Sequence, residues 1–333
     1  MGNFSVSILI PVLNESAYIE QCLNSILIND FPKQDMEIII IDGGSSDDTR
    51  EIISKYKWPD VSHTLLTHKK KIVPISLNMG IQQAKGKYII RIDAHTLYAK
   101  DYISKCAEYL DKGIADNVGG PMRPMGDKAI QKAIKYATCS KFGIGNSSFH
   151  FEHFEGFVDT VYLGAFRKEV FSEIGYFDEE LVRNQDDELN FRLILNGKKI
   201  YLSPEIISYY YPRDSLQALW KQYFEYGFWK VRVIQKHKQA PSLRHFIPCC
   251  FALTLTLLPL FSAFYSPAFY LLLFFLFIYA SANFHATTVG TRNQPVKISL
   301  LVGLTYFILH ASYGFGFLKG FFKFYFFPFN KTR

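Results

Sequence analysis

The sequence predicts an α/β fold with an open, mostly parallel sheet, followed by C-terminal transmembrane helices. The sheet is indicated by short apolar runs that alternate with stretches of helical periodicity, and by polar clusters that follow several of these runs. The membrane part is indicated by the chain from about Phe246 onward, which is dominated by Phe, Leu, Tyr and Ala. About 20 apolar residues are needed to cross a bilayer, and three stretches approach that length.

The elements of the sheet follow from local patterns in the first two hundred residues. Apolar runs rich in β-branched residues predict strands at 5–12, 36–41, 61–66, 87–92 and 115–120. Apolar residues at helical spacing predict helices at 17–28, 75–85 and 128–141. Asp47, Asp48 and Thr49 mark the start of another helix. This order of strands and helices is typical of a parallel sheet with crossover helices.

Composition narrows the class of protein. The chain has 333 residues, of which 49% are hydrophobic and 17% aromatic, and its formal net charge is +7. A basic excess suits nucleic acid, a membrane surface or a polyanionic substrate. The chain has no basic stripe with RNA-type aromatic motifs and no zinc-finger spacing, so we expect no nucleic-acid partner. Five cysteines without a CxxC pair favour reduced thiols and a cytosolic soluble part.

Polar clusters follow three of the predicted strands, at residues 11–15, 42–45 and 93–95. In open α/β sheets, ligands bind at the carboxyl ends of the strands. Asp42 alone is equally well explained as a turn residue. Three clusters on one edge together predict a binding site there.

The stretch YIIRIDAHT, residues 88–96, contains the third cluster. If the segment is extended, the side chains of Asp93 and His95 lie on the same face. A carboxylate and an imidazole both suit Mn²⁺, and the carboxylate suits Mg²⁺. The alternative interpretation is a strand end followed by a helix-capping aspartate. The motif taken alone favours that alternative. Together with the rest of the chain, it favours a site that holds a divalent cation against a diphosphate.

Several motifs together resemble a known family. ILIPVLNE, IIIIDGGSSDDT and LNMGIQQAKGKYIIRIDAHT, in that order, resemble the nucleotide-binding half of family 2 glycosyltransferases of the GT-A fold. The later stretches GGPMRP, VDTVYLGAFRKEVF, FDEELVRNQDDELNFRL and LWKQYFEYGFWKVRV resemble bacterial succinoglycan-type membrane glucosyltransferases. The resemblance covers residues 5–240, and the apolar tail is consistent with it.

The resemblance implies roles on the donor side. Asp42 corresponds to an aspartate that hydrogen-bonds the uracil of a UDP-sugar, and Pro11 and Glu15 belong to the loop that walls the base. Asp93 matches the first aspartate of the DxD motif, which contacts the ribose and the metal. His95 stands where many relatives have a second aspartate, and it remains a possible metal ligand with one less negative charge.

On the acceptor side, the resemblance identifies Asp186 as the general base, with Gln185 in place of a glutamate. Asp187 is assigned to helix capping or to orientation of the acceptor, since acidic residues in a first turn stabilise the helix dipole. Asp159 and Gly164 lie beside the acceptor in relatives. The alternative for Gly164 is a strand that needs room for a neighbouring side chain.

The predicted domains are a GT-A domain at 1–213, an amphipathic membrane-interface helix at 214–240 and a transmembrane region at 241–333. The alternative for the interface helix is a helix packed on the sheet. The transmembrane region contains apolar stretches at 246–265, 267–286 and 298–318, and Gly314, Gly316 and Gly320 predict close helix contact. We predict three spans. Because three spans would place Lys331 and Arg333 outside, against the charge bias, a re-entrant or interfacial third stretch is the alternative.

These expectations combine into an inverting, metal-dependent glycosyltransferase at the cytoplasmic face of the inner membrane. The expected donor is a UDP-hexose, and the expected acceptor is a polyprenyl-diphosphate-linked saccharide for exopolysaccharide or another surface glycan. One alternative is a transferase that charges polyprenyl phosphate directly, and another is a silent nucleotide-binding membrane scaffold. Tyr226 and Gly227 replace the Arg-Trp pair of cellulose-type synthases, which argues against a processive polymerase.

Overall fold

The structure, a computed structural model, describes residues 4–327. The strands are β1 (Val6–Val12), β2 (Met36–Asp42), β3 (Ser62–Thr67), β4 (Tyr88–Arg91), β5 (Thr96–Tyr98), β6 (Asn117–Gly120), β7 (Met122–Pro124), β8 (Gly156–Phe157), β9 (Tyr162–Arg167), β10 (Ile200–Leu202) and β11 (Ser208–Tyr210). The α-helices are α1 (Ile19–Leu27), α2 (Thr49–Lys55), α3 (Val73–Gln83), α4 (Tyr102–Asp111), α5 (Ala129–Thr138), α6 (Lys141–Ile144), α7 (Glu169–Ile174), α8 (Gln185–Leu195), α9 (Leu216–His237), α10 (Ile247–Ser262), α11 (Ser266–Gly290) and α12 (Val296–Phe326).

The main sheet has eight strands in the order β3-β2-β1-β4-β9-β6-β10-β8. Strands β1 to β4 are parallel to one another, as predicted. Strand β9 is inserted between β4 and β6 and runs antiparallel to both, so the sheet is mixed. A smaller sheet contains β5, β11 and β7. The α/β class is confirmed, and the antiparallel strand is the feature that the apolar runs alone did not indicate.

Helices cover both faces of the main sheet, which explains why its central strands are continuous apolar runs. In β1, Ile8 and Ile10 point to one face and pack against α1 and α4. Leu9 points to the opposite face, where it packs with Leu77 and Ile81 of α3. The two faces therefore form two separate apolar clusters, and polar side chains are left to the strand ends.

The chain divides into two compact units. The first comprises residues 1–123 and 148–211, and the second comprises residues 124–147 and 212–333. The predicted domain bounds stay a prediction. The division assigns α5 and α6, which lie within the predicted GT-A domain, to the second unit. There Ala133, Ile134 and Ala137 of α5 form an apolar cluster with Val302 and Tyr306 of α12.

In the second unit, α9 packs along α12, and glycines bring the backbones close. A Cβ on Gly316 would lie 2.0 Å from the carbonyl oxygen of Phe224, and one on Gly320 would lie 2.5 Å from that of Phe228. A Cβ on Gly314 would lie 2.0 Å from the carbonyl oxygen of Pro248 in α10. The close helix contact predicted for these three glycines is confirmed.

Three helices are long and apolar enough to cross a membrane: Leu243–Ser262, Ser266–Gly290 and Val296–Phe326, with mean hydropathies of 1.7, 1.7 and 1.5. The first of them includes a short 3₁₀ turn ahead of α10. The predicted apolar stretches are therefore confirmed as helices, and their composition indicates association with a membrane. Lys331 and Arg333, on which the charge argument for the tail depends, lie outside the described residues.

Candidate active site

The loops that follow β1 and β2 are held together by hydrogen bonds. The backbone N–H of Asn14 donates to Ser45 Oγ at 2.9 Å, and the N–H of Ser46 donates to Asn14 Oδ1 at 2.8 Å. The N–H of Glu15 donates to Thr49 Oγ1 at 2.8 Å. Asn14 has a φ of 57°, which asparagine tolerates better than most residues. The first two polar clusters therefore form one edge, as the sequence predicts.

Asp42 lies beneath this edge with none of its side-chain surface exposed. Its carboxylate accepts hydrogen bonds from the N–H groups of Gly44, at 3.2 Å, and Ser45, at 3.0 Å, and from Arg50 Nε. Burial acts to raise the pKa of Asp42, but the bonds from Ser45 and Arg50 outweigh it and hold the pKa below its ordinary value. The carboxylate orders the loop, and Arg50 covers it from the solvent side. A direct bond from Asp42 to a base stays a prediction, and it requires Arg50 to move.

Pro11 and Glu15 occupy different kinds of position. Pro11 is the penultimate residue of β1, in register with Ile41 of β2, and is half-buried, so the prediction that it belongs to the loop is wrong. Glu15 does lie in the loop, and its Oε1 is 2.9 Å from His95 Nδ1. The loop after β1 is thereby connected to the third polar cluster.

The segment from Asp93 to Thr96 is a turn, in which the N–H of Thr96 donates to the carbonyl oxygen of Asp93 at 3.2 Å. The expectation that Asp93 and His95 share the face of a strand is therefore wrong, because β4 already ends at Arg91. The N–H of Asp93 donates to the hydroxyl of the buried Tyr98 at 2.9 Å, which anchors the turn. The two side chains consequently have different partners.

Arg91 is the residue that sequence reasoning missed. Its buried guanidinium donates to Asp93 Oδ1 from Nη2 at 3.1 Å and from Nε at 3.3 Å, and its Nη1 donates to Asp186 Oδ1. A buried arginine requires paired acceptors, and the two carboxylates supply them. The available signal was a lone cation at the end of an otherwise apolar strand. One guanidinium thus brings together the two aspartates predicted to serve donor and acceptor.

The electrostatics of Asp186 combine burial with this pairing. Its side chain keeps 38% of its surface exposed. Burial raises the pKa of Asp186 above its ordinary value, the charge of Arg91 opposes that rise, and the charge of Asp93 adds to it. Arg91 itself stays charged: burial acts to lower its pKa, but the two carboxylates together raise it.

The acidic residues at the start of α8 have separate partners. Asn184, just before the helix, is left-handed with a φ of 63°. Asp186 faces Arg91, whereas the buried Glu188 accepts two hydrogen bonds from Arg192, at 2.6 and 2.9 Å. Asp187 is half-buried in the first turn, and its assignment to capping or to the acceptor stays a prediction.

The structure favours the second interpretation of Gly164. The residue is buried with a φ of 56°, and a Cβ there would lie 2.7 Å from the ring of Phe166 and 2.9 Å from Asn117 Oδ1. The glycine makes room for its neighbours, and its place beside the acceptor stays a prediction. Asp159 is half-buried between β8 and β9, and its role beside the acceptor stays a prediction.

A divalent cation at this edge would take its protein ligands from Asp93 and His95. Within residues 4–327 no group of three or more His, Cys, Asp or Glu side chains could hold a metal ion. Mg²⁺ and Mn²⁺ at a diphosphate, however, need only one or two protein ligands, because the phosphates supply others. The contact between Glu15 and His95 Nδ1 is the arrangement by which a carboxylate orients a metal-binding imidazole. A cation that Asp93 and His95 share with a diphosphate stays a prediction, and the orienting contact from Glu15 is the observation that supports it.

Comparison with known proteins gives a consistent picture. The model of the family described as glycosyl transferase family 2 matches residues 7–175. The succinoglycan biosynthesis protein ExoA of Rhizobium meliloti (strain 1021) is 33% identical over 247 residues, which are 74% of this chain and 74% of that protein.

A second relative spans nearly the full length. It is the dolichyl N-acetyl-alpha-D-glucosaminyl phosphate 3-beta-D-2,3-diacetamido-2,3-dideoxy-beta-D-glucuronosyltransferase of Methanococcus voltae, 29% identical over 328 residues, with 96% of this chain and 97% of that protein covered. Among solved structures, the mannosyltransferase PcManGT of Pyrobaculum calidifontis, in complex with GDP-Man and Mn²⁺, matches with a TM-score of 0.65. It is 17% identical, with 96% of this chain and 88% of that chain covered, which supports the GT-A fold alone. The strand-end site, the family match and the identity to ExoA lead to one conclusion: this chain is a glycosyltransferase and belongs to glycosyl transferase family 2.

Proposed function

We propose that this enzyme transfers a hexose, with inversion, from a UDP-sugar to a lipid-linked saccharide at a membrane, in the synthesis of a surface polysaccharide. The observation that carries the proposal is the pairing of Arg91 with both Asp93 and Asp186. A transferase of this kind needs a donor site and a base for the acceptor within reach of one sugar carbon. One guanidinium bonds to both candidate carboxylates, which supports a common site for donor and acceptor.

Asp186 acts as the general base in this proposal. Its carboxylate takes the proton of the acceptor hydroxyl as the oxygen forms a bond to the anomeric carbon, while the bond from that carbon to the diphosphate breaks. The nucleoside diphosphate leaves from the opposite face, so the configuration inverts. A positioned base is typically worth about 10²–10⁴ in rate. The raised pKa of Asp186 makes it a stronger base than an ordinary aspartate.

The donor side uses the edge formed by the first three polar clusters. The loop that Asp42 orders, together with Pro11 and Glu15, would bind the base, and Asp93 would bind the ribose. Asp93 and His95 would also hold a divalent cation. That cation, when bound, supplies positive charge to the diphosphate as it departs.

The acceptor class is supported by two relatives and by the apolar helices. ExoA is named for succinoglycan biosynthesis, and the Methanococcus voltae enzyme is named for a dolichyl sugar phosphate acceptor. The three apolar helices would place the enzyme where such a lipid resides. Because UDP-sugars are cytosolic and the five cysteines form no disulfide within residues 4–327, we place the catalytic unit at the cytoplasmic face of the inner membrane.

The test is a panel of UDP- and GDP-sugars supplied to membranes that contain the full chain, with mass analysis of the lipid fraction. The expected result is a lipid-linked saccharide one hexose longer, formed from a UDP-sugar, together with UDP. The matched control is Asp186→Asn, which should bind donor but form no product.

Other outcomes would contradict the proposal in distinct ways. A hexose attached directly to polyprenyl phosphate would identify a lipid-charging transferase. Nucleotide binding without UDP release, in the presence of membrane lipid, would identify a silent scaffold. A product formed only from GDP-sugars would correct the nucleotide.

A further inference from the structure

The three apolar helices of the second unit differ in how much protein covers them. In the most apolar stretch of each helix, 50% of the stretch is buried in α12. The corresponding share is 11% in the helix containing α10 and 6% in α11. A helix that crosses a bilayer beside only two other helices should expose most of its surface to lipid. The difference shows that α12 has partners that α10 and α11 lack.

Besides α10 and α11, α12 packs on two charged, amphipathic helices. Its first half packs on α5, where Ile298 and Val302 meet Ala133 and Ile134, and α5 carries two lysines in the same stretch. Its second half lies along α9, as the glycine contacts at Gly316 and Gly320 require.

Charged groups of α9 and α12 take part directly in this packing. Lys319 Nζ lies 5.6 Å from the ring centroid of Phe224, and the guanidinium of Arg232 lies 5.8 Å from that of Phe324. Gln235 Nε2 also donates to the carbonyl oxygen of Phe324 at 2.6 Å. Gly316 of α12 meets Phe224 of α9, and further along both helices Phe324 of α12 meets Arg232 of α9. The two helices therefore run in the same direction. If α12 crossed the membrane, α9 would therefore have to enter it alongside.

Helix α9 is unsuited to the hydrocarbon layer. It carries five charged residues across its length, Lys221, Glu225, Lys230, Arg232 and Lys236. A charged side chain at the centre of a bilayer is costly unless it faces protein or water. The pair formed by α9 and α12 therefore suits the headgroup region, where cations contact anionic lipid.

The outward face of α12 and the α10–α11 hairpin suit the lipid. Leu300 and Leu304, one turn apart, form an exposed apolar stripe along α12. Residues 246–290 contain no Asp, Glu, Lys or Arg, and at the turn between α10 and α11 Phe264 is 92% exposed. The hairpin is the part of the second unit whose surface matches the bilayer interior.

We infer that the membrane-inserted element is the α10–α11 hairpin, and that α12 does not cross the bilayer but lies along its surface, packed on α5 and α9. The lipid bilayer is the partner of the apolar stripe. The end of α12 consequently stays on the same side of the membrane as α9. This arrangement differs from the three spans predicted from the sequence, which stay a prediction until the side of each helix end is measured. The inference rests on the proposed membrane location and not on the proposed chemistry. Experiments can therefore reject the helix placement without rejecting the transfer activity, and the reverse.

The unsubstituted protein tests this directly, because exposed lysines mark the relevant places. Lys221 lies on α9, while Lys297 and Lys323 lie near the two ends of α12. Sealed vesicles of each orientation, containing the full chain, are treated with a membrane-impermeant amine reagent, and the labelled lysines are identified by mass spectrometry. We expect all three to be labelled in the same vesicle orientation and protected in the other until the vesicles are opened.

Labelling of these lysines from opposite sides of the membrane would overturn the inference. If Lys297 and Lys323 are labelled from opposite sides, α12 spans the membrane. Single Lys297→Cys and Lys323→Cys variants, in a chain with Cys139, Cys249 and Cys250 replaced by alanine, repeat the measurement with a maleimide. The matched control is Lys221→Cys in the same background, which reports the side on which α9 lies.

Discussion

His95 and Glu15 lie in contact, with Nδ1 of the imidazole 2.9 Å from Oε1 of the carboxylate, although the residues are 80 positions apart in the chain. The contact joins the loop after β1 to the turn after β4. A carboxylate at Nδ1 sets the tautomer and the orientation of the imidazole ring.

The first prediction concerns the metal. Since His95 supplies an imidazole where a carboxylate is common, activity should be lost with a chelator and restored better by Mn²⁺ than by Mg²⁺. His95→Asp should shift the preference toward Mg²⁺, and Glu15→Gln should weaken Mn²⁺ activation by about 10–100-fold, as removal of an orienting carboxylate does. Titration of transfer rate against each metal measures this, and full activity in chelator would remove the metal from the mechanism.

The second prediction concerns the base. Asp186→Asn should lower the rate of transfer by about 10²–10⁴ while leaving the affinity for UDP nearly unchanged. Asp187→Asn, one position along the same helix, is the control and should be much milder. Rates at saturating substrates together with UDP binding measure both. If Asp186→Asn keeps more than about a tenth of the rate, another group is the base.

The third prediction concerns pH and Arg91. A base must be unprotonated, so the rate should fall as the pH falls through the raised pKa of Asp186. Arg91 opposes that rise, so Arg91→Met should raise the pKa further and move the acid limb to higher pH. Arg91→Lys keeps the charge and should move the limb less. If the pH–rate profiles of both variants match that of the unsubstituted protein, Arg91 has only a structural role.

The fourth prediction concerns stability. Glu188 is buried and accepts two hydrogen bonds from Arg192, whose Nη1 also donates to the carbonyl oxygen of Ile174 at 2.7 Å. Glu188→Ala leaves the guanidinium without its counter-charge and should cost about 3 kcal/mol of unfolding free energy. Denaturation of the full chain in detergent measures this cost. Asp187→Asn should change the unfolding free energy by less than about 0.5 kcal/mol.

The fifth prediction separates two roles for Asp42. If the carboxylate acts by ordering the loop, both Asp42→Asn and Arg50→Ala should raise the KM for the donor, because each removes part of the same hydrogen-bond set. If Asp42 binds the base directly, Arg50→Ala should uncover it and leave the KM unchanged or lower. Donor KM values for the two variants decide between these roles.

Local sequence patterns determined the parallel strands, the three polar clusters and the apolar helices. Each of these depends on the order of side chains within a short window, as in the runs that became β1 and β2. The carboxyl ends of neighbouring parallel strands meet by geometry, so the edge containing Glu15, Asp42 and Asp93 followed from the strands. Roles on that edge came from the resemblance to a family, and they stay predictions.

Only the tertiary structure decided which distant residues meet. Arg91 meets Asp186 across 95 positions, and β9 is inserted between β4 and β6; no local pattern encodes either arrangement. Similarly, residues 124–147 join the second unit because α5 finds its apolar partner in α12. The length and hydropathy of α12 suit a span, but its packing on the charged helix α9 opposes one. Periodicity reports which face of an element is apolar, and long-range packing decides what covers that face.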